Sequence, residues 1–410
     1  MTAAATPSPV PAAKPPHPLR ERNFRLWWMG STISLLGDQF YLVAMPWVIL
    51  QLTGSAVAMG TVLMASSIPR AVLMLMGGAV TDRISPRKVM MTTATARTAL
   101  VTAIGCLLWF HFLALWQLYV LAFCFGVADA FAFPAAMAFM PSLVKREQMV
   151  AASSVSQSTS QLAGIVTPAP AGLAIKALGL AWAFFIDAVS FLFILAALWK
   201  LPDPPVTPKA ARKPVWSSIG EGLRYVGKDV PLRTLMLVAA VMNFCIAGSI
   251  SIGLALLTKT RFGSPAAFGT VLSAAAAGSL GGALLAGIWK VRRRGALILA
   301  VAVLLGVSLS VIGLLPKLWM VAAVLLVMGL SAGLTNVHIG AWIQQRVDQS
   351  VRGRITSVLM LSVVGLMPVS YAVAGLLAAW SLKGLFLIAG ASLVVVAGIG
   401  ALQKPVRDIE

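Results

Sequence analysis

Five ionisable side chains fall inside long apolar runs of the sequence: Asp38, Arg70, Arg97, Asp129 and Asp187. An ionised group at the centre of a bilayer costs at least ~2.5–3.5 kcal/mol on insertion scales, which makes each of them a functional candidate by default. At a helical rise of ~1.5 Å per residue, Asp38, Arg70 and Asp129 lie about 19, 16 and 18 Å from the membrane edge nearest the N-terminus, close to one level. Arg97 lies about 12 Å and Asp187 about 18 Å from that edge. The sharpest reading has Asp38 and Asp129 facing a central cavity and sharing Arg70 as counter-charge, with one carboxylate left open to a proton or a cationic substrate. The plainer reading makes Arg70 the structural partner of one aspartate while the other holds a backbone group. Asp187 and Arg97 are further candidates for proton coupling or for lining the cavity.

The elements that must carry these residues are membrane helices. Of the 410 residues, 59% are hydrophobic and 11% charged, against about 25% charged in an ordinary soluble domain; a water-soluble globule is excluded. Apolar windows fall at about 26–50, 57–80, 89–110, 116–140, 149–175, 179–199, 234–258, 265–289, 295–315, 318–342, 354–378 and 381–402, predicting an all-α membrane protein of twelve spans. The net charge of +20 would suit a nucleic-acid partner, but most of the 32 Lys and Arg fall on alternate connections, the pattern of cytoplasmic loops, so no nucleic acid is expected. Both termini are then cytoplasmic. Residues 1–23, rich in Pro and Ala and lacking an apolar signal core, read as a disordered cytosolic tail. Residues 24–200 form one six-helix bundle, 201–233 a cytoplasmic linker, 234–402 a second bundle and 403–410 a short tail. Within the linker, Trp216, Ile219, Leu223 and Val226 share one face of an interfacial helix over 215–228.

The two bundles repeat. LTGSAVAMGTVL at 52–63 aligns without a gap on RFGSPAAFGTVL at 261–272, an offset of 209, and LVKREQMVAA at 143–152 resembles RVDQSVRGRI at 346–355, an offset of 203. Repeats of one topology pack around an axis along the membrane normal and leave a site between them near the midplane.

The loop after span 2 reads Gly78-Ala79-Val80-Thr81-Asp82-Arg83-Ile84-Ser85-Pro86-Arg87-Lys88. Gly78 allows close helix contact, Asp82 can accept from a helix N-terminus, and Arg83, Arg87 and Lys88 can bind carboxylates or carbonyls, together a latch that breaks and reforms as the bundles rock. This loop resembles the G-x-x-x-D-R-x-x-R-R/K signature of the major facilitator superfamily. Residues 19–402 are similar to its bacterial efflux members, above all the macrolide-exporter and enterobactin-exporter group, through the opening LRERNFRLWWMGSTISLLGDQFYLVAMPWVILQLTGSA, the FIDAVSF of span 6 and the VRGRITS before span 11. Ser85 stands where the signature has glycine, and Val291 replaces the aspartate in the second copy. Span 5 carries Gly164, Pro168 and Gly172 in a run resembling the antiporter motif of drug/proton exporters, with Thr167 in place of a glycine. The resemblance implies that spans 1, 2, 4 and 5 line the cavity of the first bundle and that spans 3 and 6 are more peripheral. It also implies export from the cytoplasm across a bacterial inner membrane.

Other polar residues are candidates for the cavity wall. Ser31, Ser34, Asp38 and Tyr41 follow helical spacing on span 1, as do Ser153, Gln157, Ser160, Gln161 and Gly164 on span 5; Asn243, Asn336 and His338 are the polar side chains deep in the second bundle. His338 reads as a helix hydrogen-bonding residue rather than a proton relay. Methionines and the phenylalanines from Phe123 to Phe139 could form an adaptable apolar pocket or simply pack. Trp27, Trp28, Trp109, Trp116, Trp182 and Trp199 suit an interfacial belt. The three cysteines read as small buried hydrophobes. No phosphate-binding GK[ST] loop, catalytic cluster or metal-ligand spacing is present, so the sequence predicts neither enzyme nor cofactor nor metal. The expected function is a monomeric proton-coupled exporter of an amphiphilic or cationic small molecule. A dedicated siderophore or metabolite exporter and an uncoupled facilitator are the alternatives.

Overall fold

The computed structural model describes residues 17–204, 215–289, 291, 293–346 and 362–403. Residues 1–16 of the expected tail, 205–214 of the linker, the VRGRITS segment, residues 404–410 and the side chains of Gly78, Asp82 and Arg83 lie outside the described residues. The first half of the chain runs α1 (Arg22–Thr53), α2 (Ala56–Arg83), α3 (Pro86–Trp109), α4 (Leu115–Phe139), α5 (Met149–Val166), α6 (Pro168–Leu178) and α7 (Leu180–Lys200). The linker helix α8 (Val215–Lys228) follows, where the sequence expects it, and then α9 (Val230–Gly248), which continues through π-helical turns on either side of the short α10 (Ala255–Leu257). The chain ends with α11 (Pro265–Ile288), α12 (Arg294–Ile312), α13 (Leu318–Arg346), α14 (Met367–Trp380) and α15 (Leu382–Leu402).

Among the described residues, 11 helices are long and apolar enough to cross a membrane. The fifth expected span is instead two helices, α5 and α6, separated at Thr167. Pro168 has no N–H to continue the ladder and a ring that crowds the preceding turn, so it opens a new helix at its own first position. Strands are absent from the described residues, and the chain is an all-α membrane protein.

The repeat visible in sequence is visible again in packing. Gly54 and Gly263, 209 apart, end α1 and the α9–α10 unit with φ of 64° and 61°, the left-handed conformation that glycine adopts without cost. Gly126 of α4 leaves room for the Ser66 carbonyl of α2. The offsets of 209 and 203 turn that pair into Ala275 and Gly329, and Gly329 of α13 sits against the Ala275 carbonyl of α11 in the same way. In the second half this contact extends: Gly278, Gly282, Gly329 and Gly333 interdigitate with backbone carbonyls at Leu326, Leu330, Ala275 and Ser279. Small residues four apart let two apolar helices touch backbone to backbone, where dispersion replaces the hydrophobic drive that lipid cannot supply.

The two halves meet at the face opposite the N-terminus. Gly172 of α6 packs on Pro265, Gly269 of α11 on Pro168, and Gly60 of α2 on Gly375 of α14. Lys259 Nζ donates to the Leu50 carbonyl at 2.5 Å, placing a cation from one half on the C-terminal turn of α1 in the other. The N-terminal face is held differently, within each half. Asp229 caps α9 by accepting from the Leu232 amide at 3.0 Å and pairs with Arg346 at 3.0 Å, while in the first half Gln148 donates to Glu21 at 3.4 Å.

Candidate functional site

Every span of the first half contributes a side chain to one cavity of ≈370 Å³. Helical spacing on α1 sets Ser31, Ser34 and Asp38 along its wall; α2 adds Arg70, α4 adds Asp129, Phe133 and Met137, and α5 adds Ser156, Thr159 and Ser160. The walls also include Arg97 and Met90 of α3 and Phe191 and Ile194 of α7. Spans 3 and 6 are therefore not peripheral, contrary to what the resemblance implies, because α3 packs on α7 and α7 packs on α1.

The charges form an alternating chain. Arg97 Nη2 donates to Asp38 Oδ1 at 2.6 Å and lies 3.9 Å from Asp129 Oδ1. Arg70 Nε lies 3.1 Å from Asp129 Oδ2. The shared counter-charge of the two aspartates is thus Arg97, and the expectation that Arg70 fills this role is corrected. Arg97, although its Cα is expected nearer the membrane edge, reaches both acids because the long arginine side chain carries its charge well away from its backbone. The Arg97 guanidinium sits 4.9 Å from the Phe125 ring centre and 4.4 Å from that of Phe191. Its side chain is 13% exposed and that of Arg70 45%. Two unit charges about 4 Å apart attract by ~4 kcal/mol at an effective dielectric of about 20, comparable to the insertion cost of one of them. The pairs therefore account for how the charges reside at this depth.

A second cavity of ≈110 Å³ lies between the halves, where Arg70, Asp129, Tyr41 and Phe125 meet Met367 and Tyr371 of α14. Tyr41 stacks on Phe125 with ring centres 4.5 Å apart and meets Phe184 edge-on at 5.9 Å. Asp187 is fully buried on α7 and lines neither cavity.

The remaining candidates divide. Gln157 and Gln161 are absent from the lining of the larger cavity, which takes Ser156, Thr159 and Ser160 from α5 instead. Asn243 donates to the Ala239 carbonyl of its own helix at 3.0 Å, and Asn336 is exposed, so neither joins the charged cluster. His338 Nδ1 lies 2.9 Å from the Leu334 carbonyl, a bond within its helix as expected. Gly164 faces Ala276, and Pro168 and Gly172 pack against α11, so the antiporter-like run makes contact across the two halves. Arg87 donates to the Leu198 carbonyl at 2.6 Å and to that of Trp199 at 3.2 Å, capping the C-terminus of α7. Lys88 lies 3.9 Å from Asp203, which also accepts from Ser85. These loop cations thus grip the last span of their own half. Trp27 and Trp28 belong to the cavity rather than to an interfacial belt, and Cys124 is exposed rather than buried.

Sequence reasoning missed Thr159, to which the Trp28 indole N–H donates at 2.9 Å, and Trp27, whose buried indole N–H has no hydrogen-bond partner among the described residues. The signal for Thr159 was its helical spacing from Ser156 and Ser160; for the tryptophans, proximity to the polar stripe of α1 outweighs proximity to the membrane edge. Among the described residues no group of three or more His, Cys, Asp or Glu could hold a metal ion.

Residues 13–410 match a family described as transmembrane secretion effectors. The chain is 30% identical over 395 residues to the multidrug efflux pump Tap of Mycobacterium tuberculosis, covering 93% of each. It is 25% identical over 396 residues to macrolide efflux protein A of Streptococcus pyogenes, covering 95% of this chain and 97% of that one. Its fold is similar to that of a bacterial homologue of the human lysosomal transporter Spinster in an inward-facing and unoccupied conformation, with a TM-score of 0.72, 15% identity and coverage of 95% and 98%. It is also similar to the nucleoside transporter NupG, with a TM-score of 0.72, 13% identity and coverage of 93% and 98%.

Proposed function

The chain belongs to the transmembrane secretion effector family of the major facilitator superfamily, a transporter and not an enzyme, and on that premise we propose that it exports amphiphilic, cationic small molecules across a bacterial inner membrane in exchange for protons. The N-terminal face is then cytoplasmic, in keeping with the excess of Lys and Arg on that side. The observation that carries the reading is the bond between Arg97 and Asp38 at the wall of a cavity that also presents the Arg70–Asp129 pair, aromatic, methionine and aliphatic side chains and hydroxyls.

Such a wall accepts varied apolar bodies, because methionine and aromatic side chains adapt to or stack on many shapes. Asp38 and Asp129 supply the selectivity for positive charge. A cation entering from the cytoplasm competes with Arg97 for Asp38, and the proton exchanged for it lets Arg97 return to that carboxylate and release the cargo. The packing of Gly60, Gly172 and Gly269 joins the halves at the opposite face, and with the N-terminal face cytoplasmic this reading takes the arrangement as inward-facing. Alternating access follows when that face separates and the cytoplasmic ends come together. The two efflux relatives support a drug-like cargo, and the contact of Arg70 and Asp129 with both cavities gives the second half a way to respond to the charge state of the first.

The test is a screen of cationic and neutral amphiphiles on inverted membrane vesicles with an imposed pH gradient, scoring dissipation of that gradient. Cationic amphiphiles should collapse the gradient only when the protein is present. Silence across the cationic set, with uptake of neutral compounds unaffected by the gradient, would overturn proton exchange.

A further inference from the structure

Asp187 has no place in the relay just described, yet it is the most deeply buried acid near it, with 0% exposure. Among the described residues its Oδ2 has no hydrogen-bond partner, and its Oδ1 is reached only by the Ser190 hydroxyl at 3.5 Å, a hydroxyl that donates at 2.7 Å to the Asp187 carbonyl. Gly37 of α1 covers it: a β-carbon there would come within 2.8 Å of Asp187 Oδ1 and would collide with Ser190. The carboxyl is therefore held against the backbone of the residue that precedes Asp38.

The groups facing it from each packed element are few. α1 presents Asp38 and Tyr41, α3 presents Arg97, and α6 carries only Lys176, exposed near the end of its helix. Phe191, one helical turn beyond Asp187 on α7, stacks under the Arg97 guanidinium. Arg97 thus stands beside both acids, bonded to Asp38 while Asp187 has no ion pair among the described residues. An ionised carboxylate without a partner in this setting would cost far more than the fold could support, whereas a protonated one costs only its unmade hydrogen bonds.

Resting on the reading of the chain as a proton-exchanging exporter, we propose that Asp187 carries the exchanged proton, with Arg97 as the arm that swaps it for cargo. In the inward-facing state Asp187 is a neutral acid and Arg97 is bonded to Asp38. A cationic cargo takes Asp38, and Arg97, displaced, turns along the Phe191 face to Asp187. The O–H bond of Asp187 breaks, its proton moves past the turning Arg97 side chain to water in the cavity that Arg97 lines and leaves to the cytoplasm, and the carboxylate pairs with Arg97. In the outward-facing state a proton rebinds Asp187, Arg97 returns to Asp38, and the cargo is expelled. One positive charge enters the site as one proton leaves, so the charge of the buried cluster stays constant through the cycle.

The experiment uses the purified full-length protein in weakly buffered detergent, with tetraphenylphosphonium as probe, measuring binding and proton release together. The wild type should release about one proton per probe bound, and the infrared carbonyl stretch of a protonated carboxyl should vanish on probe addition. Asp187→Asn keeps the size of the neutral acid; it should still bind the probe but release no proton and lack that stretch. Probe binding with full proton release from Asp187→Asn would overturn the proposal, as would a wild type whose carboxyl stretch persists when the probe binds. A wild type that does not bind the probe would instead overturn the export reading beneath it, and the role of Asp187 with it.

Discussion

At the scale of single residues, Arg97 is the keystone of the charged cluster, since among the described residues it alone pairs with both Asp38 and Asp129. Replacing Arg97 with Met leaves two acids facing one remaining cation, and breaking a buried pair in this way costs about 3–5 kcal/mol. The expected result is a clear drop in melting temperature in detergent and loss of efflux. Arg97→Lys should retain part of the stability but not the activity, because an ammonium cannot lie flat between the Phe125 and Phe191 rings while also bonding a carboxylate. Cell-based resistance to a cationic dye, compared at equal protein level, separates the two variants. The five intramembrane charges were legible in the sequence, because hydrocarbon tolerates few others and each stood out. Their pairing was not. Position along a helix gives the height of a Cα, but not the azimuth of the helix or the reach of the side chain, and those decide that Arg97 rather than Arg70 serves both acids.

At the scale of elements, the second half replaces charge with backbone contact. Arg70 of α2 corresponds through the offset of 209 to Ser279 of α11, and the Ser279 carbonyl lies against Gly333 of α13 where the first half has an ion pair. Gly282→Leu or Gly333→Leu should therefore abolish the folded protein, read as loss of the monodisperse peak in detergent, while Gly281→Leu, which meets open space, should be tolerated. The single fifth span that the sequence predicts is divided into α5 and α6 at Thr167, because Pro168 suits a first helical position. At the far face, Lys259→Met removes a charged hydrogen bond worth about 1.5 kcal/mol, close to a tenfold change in an equilibrium. Spin labels on the outer ends of α1 and α11 should then report a larger share of molecules with those ends apart. An unchanged distance distribution would mean that the glycine contacts alone close that face.

At the scale of the whole molecule, the sequence disclosed an all-helical membrane protein and its internal repeat, because each is a pattern spread over the whole chain. It did not disclose that the charged cavity sits among all six spans of the first half, since lining depends on which helices pack together. The division between a charged first half and a glycine-packed second half predicts that cargo preference follows the first half. Exchanging Phe133 or Met137 for Ala should alter which amphiphiles are moved, with changes of at least severalfold in relative efflux rates, whereas Asn243→Ala should alter none of them.

The most direct measurement compares two modes of transport in reconstituted vesicles for the wild type and Asp38→Asn: exchange of labelled for unlabelled cationic amphiphile without a gradient, and accumulation driven by an imposed pH difference. The wild type should perform both. Asp38→Asn should lose gradient-driven accumulation by at least tenfold while retaining some exchange. Accumulation by Asp38→Asn at the wild-type rate would contradict a competition between Arg97 and the cargo for Asp38 as the step that couples transport to protons.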